Sequence, residues 1–242
     1  MNNERDMIIE RYFPNWKSWE GDWQEWKIES MERGKTVVLI PARQGSTRIK
    51  DKNIRDVCGK PLLAYTAIMA KALKGVDRVI ISTDSPEYCS IAENWGVEAP
   101  FLRPFEFSGP QVAPNMAFYH LLCHCAYNNY PVRTVITLAP TNPFRNLIRM
   151  QEMLDATLEH GFCTSVFRCQ TGWIPGLNMK NMLFLKPLGQ FHGSHVVLSQ
   201  ISSKQYYFIT NPIELVDVDV EDDLCIAKAI IENDLYDFGM SL

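Results

Sequence analysis

The segment between residues 43 and 53 is rich in cations. It holds one glycine, one serine and four positive side chains: Gly45, Ser46, Arg43, Arg48, Lys50 and Lys52. A polyphosphate needs charge neutralisation and oriented donors, which cationic side chains and the N–H groups of a tight loop supply. Neither a Walker sequence nor a dinucleotide fingerprint is present, since no Gly-Lys-Ser/Thr follows and the loop has a single glycine. The pattern favours phosphate binding, and a solvated basic loop is the alternative.

Two carboxylates near the end of the chain form a second candidate site. Asp217 and Asp219 are two residues apart on a predicted strand over 215–220, so both side chains should point to one face. Like charges on one face repel unless they share a cation, and hard oxygen ligands select Mg²⁺. The alternative is that the acidic run 219–223 only begins a helix.

Strands alternate with helices from residue 36 onward. The predicted strands are 36–42, 78–82, 97–102, 134–138, 162–167 and 215–220. The predicted helices are 59–74, 86–95, 114–128, 148–160 and 221–235, and residues 169–212 are predicted to be irregular, with hairpins and short turns. This alternation predicts right-handed βαβ units and a mostly parallel sheet covered on both faces. The loops 43–53, 83–85, 103–113 and 139–146 should therefore border one pocket.

Residues 1–34 differ from the rest of the chain. Trp16, Trp19, Trp23 and Trp26 recur at helical spacing, which places four indoles on one face of a helix. An apolar stripe of this size needs to be covered. We expect it to pack on its own domain or between subunits in preference to binding a ligand.

Composition limits the classes of partner. The 242 residues are 46% hydrophobic and carry a net charge of −4, so no global basic field attracts nucleic acid. No apolar run approaches the roughly 18 residues of a membrane span, and the charged start of the chain does not resemble a signal peptide. Seven cysteines without framework spacing predict reduced thiols in a cytoplasmic protein. Cys123 and Cys125 are expected in the core beside a surface His124, with zinc as the minor alternative.

Several motifs occur in a fixed order between residues 36 and 235. They are Ile-Pro-Ala-Arg-Gln-Gly-Ser-Thr-Arg at 40–48, Lys-Asn-Ile at 52–54, Gly-Lys-Pro-Leu at 59–62, and the segments 77–84, 101–104, 139–145 and 217–224. This series resembles the acylneuraminate cytidylyltransferases, the CMP-sialic acid synthetases. The resemblance implies a Rossmann-like, three-layer α/β sandwich of the nucleotide-diphospho-sugar transferase type over 35–242, with an N-terminal helical extension over 1–34. It implies a cytoplasmic homodimer that uses Mg²⁺ to transfer CMP from CTP to a sialic-acid-like nonulosonate, releasing pyrophosphate.

The resemblance also implies roles for individual residues. Arg43 and Lys52 would hold the triphosphate, and Asp217 and Asp219 would hold the metal; these four are the expected catalytic residues. The other expected nucleotide contacts are Ala42, Gly45, Ser46, Asn53 near the nucleoside, Ser82, Asp84, and Arg103 at the base. Thr141 and Arg145 are expected at the sugar. Asp84 has an equal alternative as the cap of the next helix.

The acceptor end departs from the family pattern. Ala139 stands where the family has a glutamine, and Gln111–Asn115 replaces an acidic stretch that carries a hydroxyl. Gln190-Phe-His-Gly193 replaces Arg-Pro-Asn-Gly, which removes an expected cation, and about 169–212 is short for the family's dimerisation arm. The alternatives are therefore a Kdo-type or other sugar nucleotidyltransferase, a glycosyltransferase using Asp217-Val-Asp219, or a silent nucleotide-binding homologue.

Overall fold

A computed structural model describes residues 23–104, 107–109, 112, 115–170 and 183–242. Its strands are β1 (Lys35–Pro41), β2 (Asp56–Val57), β3 (Lys60–Pro61), β4 (Arg78–Ser82), β5 (Val132–Thr137), β6 (Phe162–Gln170), β7 (Leu183–His195) and β8 (Gln205–Phe208). Its helices are α1 (Trp23–Arg33), α2 (Leu62–Ala72), α3 (Pro86–Asn94), α4 (Met116–Tyr127), α5 (Leu147–His160) and α6 (Glu221–Glu232). Short 3₁₀ helices lie at Lys52–Ile54, Leu198–Gln200 and Pro212–Leu215.

Six strands form one sheet in the order β4-β1-β5-β7-β6-β8. Strand β1 runs parallel to both β4 and β5, and β6 runs parallel to β8. Strand β7 is antiparallel to β5 and β6, so it is the one reversed strand of this described sheet. The predicted α/β class with a mostly parallel sheet is confirmed, and β2 and β3 form a separate hairpin.

Helices cover both faces of the sheet, and alternate residues of β1 pack into the two hydrophobic cores that lie on either side of it. Val38 and Ile40 pack among residues of α2, α3 and α5, while Val37 and Leu39 pack with α1 and α4. All five interior residues of β1 are buried, which explains why this strand reads as a continuous apolar run. Because both faces of this strand are buried under helices, the sheet is the middle one of three layers.

Helix α1 docks on its own domain. The Trp26 side chain is buried, its Nε1 donates to the Tyr130 carbonyl oxygen at 3.0 Å, and its ring stacks on Trp23 at 5.0 Å. Ser30 Oγ accepts a hydrogen bond from the Val132 backbone N–H at 3.1 Å. Intramolecular packing is therefore the role of this part of the tryptophan stripe, and Trp16 and Trp19 lie outside the described residues.

Two predicted strands are wrong. Residues 97–102 contribute only a single bridge, from Glu98 to Ile80, and the Val97 N–H before it bonds to the Ala92 carbonyl oxygen of α3 at 3.0 Å. Residues 215–220 do not join the sheet either: the Val218 N–H donates to the Thr141 carbonyl oxygen at 2.8 Å, in a loop beyond the strand ends. In addition, the predicted helix at 59–74 begins only at Leu62, since residues 60–61 belong to the hairpin.

The cysteines of α4 lie in or beside the core, as expected. Burial raises the pKa of both the Cys123 and the Cys125 thiol to about 12, so both are protonated at neutral pH. The described part of the chain holds no group of three or more His, Cys, Asp or Glu side chains that could bind a metal. None of its helices is long and apolar enough to cross a membrane.

Candidate active site

The basic loop after β1 is fixed through its backbone. The Gln44 N–H donates to Asp84 Oδ1 at 2.9 Å, and Asn53 Nδ2 donates to the Arg43 carbonyl oxygen at 3.1 Å. Ala42 is buried below the loop and donates its N–H to the Ser82 carbonyl oxygen at 2.9 Å. Of the cationic side chains of the loop, Arg48 and Lys50 are exposed, whereas Lys52 is only 12% exposed. Space for a ligand is open above Gly45, since a Cβ placed there would meet no atom within 4 Å.

The loop cations and one carboxylate meet across the site. Lys52 Nζ lies 2.7 Å from Asp219 Oδ1, and Arg48 Nη1 lies 3.3 Å from Asp219 Oδ2. The hydrogen bond from Lys52, together with the two positive charges, holds the pKa of the Asp219 carboxyl below its usual value. Two segments some 170 residues apart in sequence therefore form one charged cluster, as the family resemblance implies.

An apolar anchor explains why these segments converge. Ile49 of the loop and Val218, between the two carboxylates, are both fully buried in one cluster that includes Leu224 of α6. Each is an apolar residue flanked by charged ones, so burying it fixes where the neighbouring charges emerge. That pattern is the sequence signal that could have located this convergence.

The two carboxylates face outward, as predicted for a strand, although the segment that holds them is a loop. Val218 points into the protein, whereas Asp217 is exposed and Asp219 is half-buried, so both carboxylates lie on the outer side of the segment. Asp223 Oδ2 accepts hydrogen bonds from the N–H groups of Asp219 and Val220 at 2.8 and 2.9 Å, which fixes the turn into α6. Two accessible carboxylates are oxygen donors of the kind that would suit a hard divalent cation.

The ends of β4 and of the following loop contain buried polar atoms. Arg103 is buried, its Nη2 donates to the Ser82 carbonyl oxygen at 2.7 Å, and burial lowers the pKa of its guanidinium. Arg103 Nε and Ser82 Oγ are themselves buried and have no hydrogen-bond partner within the described residues. Buried donors of this kind are normally paired, so they suit a polar ligand such as a nucleotide base.

Asp84 does not cap the next helix. Ser85 is the N-cap of α3, and its Oγ accepts from the Tyr88 N–H at 3.4 Å. The capping alternative is therefore wrong. Asp84 instead holds the basic loop through Gln44, which places it at the expected rim of the site. On the same rim, Arg43 Nη1 donates to the Ser108 carbonyl oxygen at 3.4 Å.

Arg145 has a structural role in place of the expected contact with a sugar. Its side chain is only 1% exposed, and burial lowers the pKa of its guanidinium to about 9. The guanidinium donates to the Thr66 hydroxyl and to the carbonyl oxygens of Ala139, Gly189 and Gln190. It therefore fixes the loop after β5 from below. Thr141, in that loop, is half-buried and accepts from Val218 through its carbonyl oxygen.

Gln190 also points inward. It is buried, and its Nε2 donates to the carbonyl oxygens of Phe144 and Glu214. The position where the family pattern places a cation is thus part of the interior in this chain.

A family model described as Cytidylyltransferase matches residues 37–165, more than half of the chain, and includes the basic loop, Ser82 and Arg103. This chain belongs to the cytidylyltransferase family. The match ends before the carboxylate pair, whose role stays a proposal.

Curated relatives from this family cover part of the chain. The N-acylneuraminate cytidylyltransferase of Escherichia coli O18:K1:H7 is 36% identical over 133 residues, which are 54% of this chain and 30% of that protein. The CMP-N,N'-diacetyllegionaminic acid synthase of Legionella pneumophila is 32% identical over 109 residues, 45% of this chain and 47% of that protein. The 3-deoxy-manno-octulosonate cytidylyltransferase of Brucella ovis is 44% identical over 75 residues, 31% of this chain and 30% of that protein. The matched segments therefore span less than half the length of these relatives.

Solved structures of cytidylyl enzymes share the fold. A CMP:2-keto-3-deoxy-manno-octonic acid synthetase complexed with CTP superposes with a TM-score of 0.62 at 16% identity, over 83% of this chain and all of that chain. The 4-diphosphocytidyl-2C-methyl-D-erythritol synthase of Anaerococcus prevotii gives a TM-score of 0.61 at 11% identity, over 82% of this chain and 99% of that one. These likenesses support the fold of the cytidylyltransferase domain.

Proposed function

We propose that this chain transfers CMP from CTP to an acidic sugar and releases pyrophosphate, with Mg²⁺ as its cofactor. The observation that carries the proposal is the contact between Lys52 and Asp219, which joins the phosphate-binding loop to the carboxylate pair. The names of the E. coli and L. pneumophila relatives favour a sialic-acid-like nonulosonate as the acceptor. The Brucella relative keeps an eight-carbon keto-acid sugar as the alternative.

In this proposal, different residues of the site bind the triphosphate and the base. Arg43, Arg48 and Lys52 neutralise the triphosphate, while Arg103 Nε and Ser82 Oγ supply polar contacts for the base. The anomeric hydroxyl of the sugar attacks the α-phosphorus and gives up its proton to solvent water. A new O–P bond forms, and the bond from the α-phosphorus to the bridging oxygen breaks, so that pyrophosphate leaves. Such a transfer depends on positioning and charge stabilisation, which fixed cations provide.

The metal would be held by Asp217 and Asp219. Bound there, Mg²⁺ supplies positive charge to the phosphate oxygens. Both carboxylates are accessible, and the loop cations that now pair with Asp219 are the ones that a triphosphate would attract. The donor set of this chain therefore fits the group.

Pyrophosphate release tests the proposal directly. The full chain is incubated with CTP, Mg²⁺ and a panel of keto-acid sugars, and pyrophosphate is measured with each component omitted in turn. We expect release only when CTP, an acidic sugar and the metal are all present. Release of CMP from a preformed CMP-sugar, without pyrophosphate formation, would identify a glycosyltransferase instead. Binding of CTP without turnover across the panel would identify a silent homologue.

A pair of variants isolates the carboxylate. Asp219→Asn should lower turnover by at least about 100-fold, because it removes a charged ligand that acts on the transferring group. Asp222→Asn makes the same chemical change at an exposed position three residues further on and should leave turnover within about twofold of wild type. Equal rates for the two variants would refute the role assigned to Asp219.

A further inference from the structure

The segment that carries Asp217 and Asp219 behaves like a strand without a sheet. Val216 and Val220, near its two ends, have extended backbone conformations, yet the segment pairs with no strand of the described sheets. Val218 nevertheless points inward between two carboxylates that face outward. In a sheet, hydrogen bonds from neighbouring strands fix such an alternation. Other groups must supply those hydrogen bonds here.

The loop after β5 holds one edge of this segment. Asn142 Nδ2 donates to the Val216 carbonyl oxygen at 3.3 Å, and the Thr141 carbonyl oxygen accepts from the Val218 N–H at 2.8 Å. Val216 and Val218 are two residues apart, so their backbone groups face the same edge of an extended chain. Loop residues therefore occupy the place that a neighbouring strand would take.

A second side-chain amide holds the start of the segment. Gln190 of β7 is buried, and its Nε2 donates to the carbonyl oxygens of Phe144 and Glu214. The other edge is held by Asp223, whose Oδ2 accepts from the Asp219 N–H at 2.8 Å. Side chains thus fix the segment along both edges, and its two carboxylates emerge on the accessible side.

Stability alone does not account for Asn142. Its side chain is only 2% exposed, and its Oδ1 is buried without a hydrogen-bond partner among the described residues. A buried, half-paired amide costs free energy, and a leucine of similar shape would avoid the cost of the unpaired oxygen. The close packing here also requires Gly189, since a Cβ at that position would lie 2.5 Å from Asn142 Oδ1. A polar group kept at such a cost indicates a role beyond packing.

We infer that Asn142 and Gln190 are positioning residues for the proposed metal ligands, because their amides keep Asp217 and Asp219 on one accessible face. The inference rests on the proposed function and adds to it the residues that shape its metal site. Residues that orient metal ligands typically change the affinity for the metal by about 10- to 100-fold when they are substituted. Loss of one amide should therefore weaken the binding of Mn²⁺ by about tenfold.

Asn142→Leu is the principal test, because it removes the amide and keeps the shape of the side chain. Binding of Mn²⁺ alone to the full chain is measured by calorimetric titration, with Asp219→Asn as the reference for a lost ligand. We expect an affinity for Mn²⁺ about tenfold below wild type and a melting temperature within about 3 °C of wild type. The thermal effect is small because removal of the unpaired oxygen offsets the lost hydrogen bond to Val216. An affinity within about twofold of wild type would overturn the inference.

Gln190→Met is a second, independent test, since it removes the amide that holds the start of the segment. Binding of Mn²⁺ should again weaken by about tenfold. Trp26→Phe is the matched control, because it also removes a side-chain hydrogen bond to a backbone carbonyl oxygen, that of Tyr130, beyond the opposite end of β5. It should keep the wild-type affinity for Mn²⁺. If Trp26→Phe weakens Mn²⁺ binding as much as Asn142→Leu does, the effect reflects general stability and the inference fails.

Hydrogen exchange separates this inference from the proposed function, because it needs no metal. The exchange rate of the Val218 N–H, which the Thr141 carbonyl oxygen accepts, is measured by NMR on the full chain. We expect Asn142→Leu to speed this exchange by about tenfold and Trp26→Phe to leave it unchanged. Faster exchange in Asn142→Leu, with no binding of Mn²⁺ by wild type, would reject the proposed metal site and still support the amide as the holder of the segment. Unchanged exchange would overturn the inference, while pyrophosphate release from CTP and an acidic sugar would still support the transferase.

Discussion

Replacing Lys52 with methionine should weaken CTP binding and strengthen metal binding in the absence of nucleotide. The Lys52 side chain is only 12% exposed, and its Nζ lies 2.7 Å from Asp219 Oδ1. Methionine keeps most of the aliphatic stem and removes the charge. The same nitrogen is the one proposed to contact the triphosphate, so the two effects should have opposite signs.

The size of each effect follows from the geometry. A charge-assisted hydrogen bond from a largely buried ammonium group contributes about 1.5–3 kcal/mol, so CTP should bind roughly 10- to 150-fold more weakly. Asp219 loses a competing cation, so Mn²⁺ alone should bind more tightly. Stability should change little, by about 1 kcal/mol or less, because Asp219 is 44% exposed and keeps Arg48.

Calorimetric titration measures both affinities, with Mn²⁺ as the probe metal and CTP added separately. Lys50→Met is the matched control, since Lys50 is an exposed lysine of the same loop. Urea unfolding of each variant checks the fold. An unchanged affinity for CTP in Lys52→Met, or weaker binding of Mn²⁺ alone, would refute the assignment of Lys52 to both partners.

Substitutions at three further positions probe the scaffold. Burial holds the pKa of His120 at about 4, against 6.5 in the unfolded chain, so the unfolded chain takes up the proton first as the pH falls. Between about pH 7.5 and about pH 5, the free energy of unfolding of wild type should therefore fall by about 2 kcal/mol more than that of His120→Gln. Urea titrations at both pH values measure the difference. Arg145→Met should lower the free energy of unfolding by about 3–5 kcal/mol in urea, since it leaves buried carbonyl oxygens without donors; a loss below about 1 kcal/mol would contradict the structural role. Trp26→Phe should lower the free energy of unfolding by about 1–2 kcal/mol, because it removes the hydrogen bond to the Tyr130 carbonyl oxygen. Trp26→Ala should lower it by about 3–5 kcal/mol, because it also removes the packed ring. Urea unfolding measures both, and equal losses would contradict the packing of the ring.

The sheet and the basic loop could be predicted because their signals are local. Strand β1 is buried on both faces, so its sequence is apolar throughout, and the cations follow it directly. The meeting of Lys52 and Asp219 was implied by the family resemblance and not by strand order, because residues 215–220 belong to no strand of the described sheet. Only the sheet and the basic loop follow from local sequence signals.

The errors concern residues whose surroundings are set by distant parts of the chain. Residues 215–220 alternate like a strand, but the Val218 N–H bonds to the Thr141 carbonyl oxygen in a loop, and the segment pairs with no strand of the described sheets. Arg145 has the type of a ligand-binding residue, yet its partners come from α2, β7 and the loop after β5. Sequence alone does not show whether a cation faces solvent or a cage of carbonyl oxygens.

The reversed strand β7 has a consequence for how the chain folds. Among the strands that the structure describes, β6 and β8 join the rest of the sheet through β7, which pairs with β5 yet is made after both β5 and β6. During synthesis, β4, β1 and β5 can therefore assemble while one side of β5 still presents unpaired backbone groups. Such an edge pairs readily with other chains until its own partner arrives. Ribosome-bound chains that stop before residue 183 should thus be the stage most prone to aggregation and most dependent on chaperones.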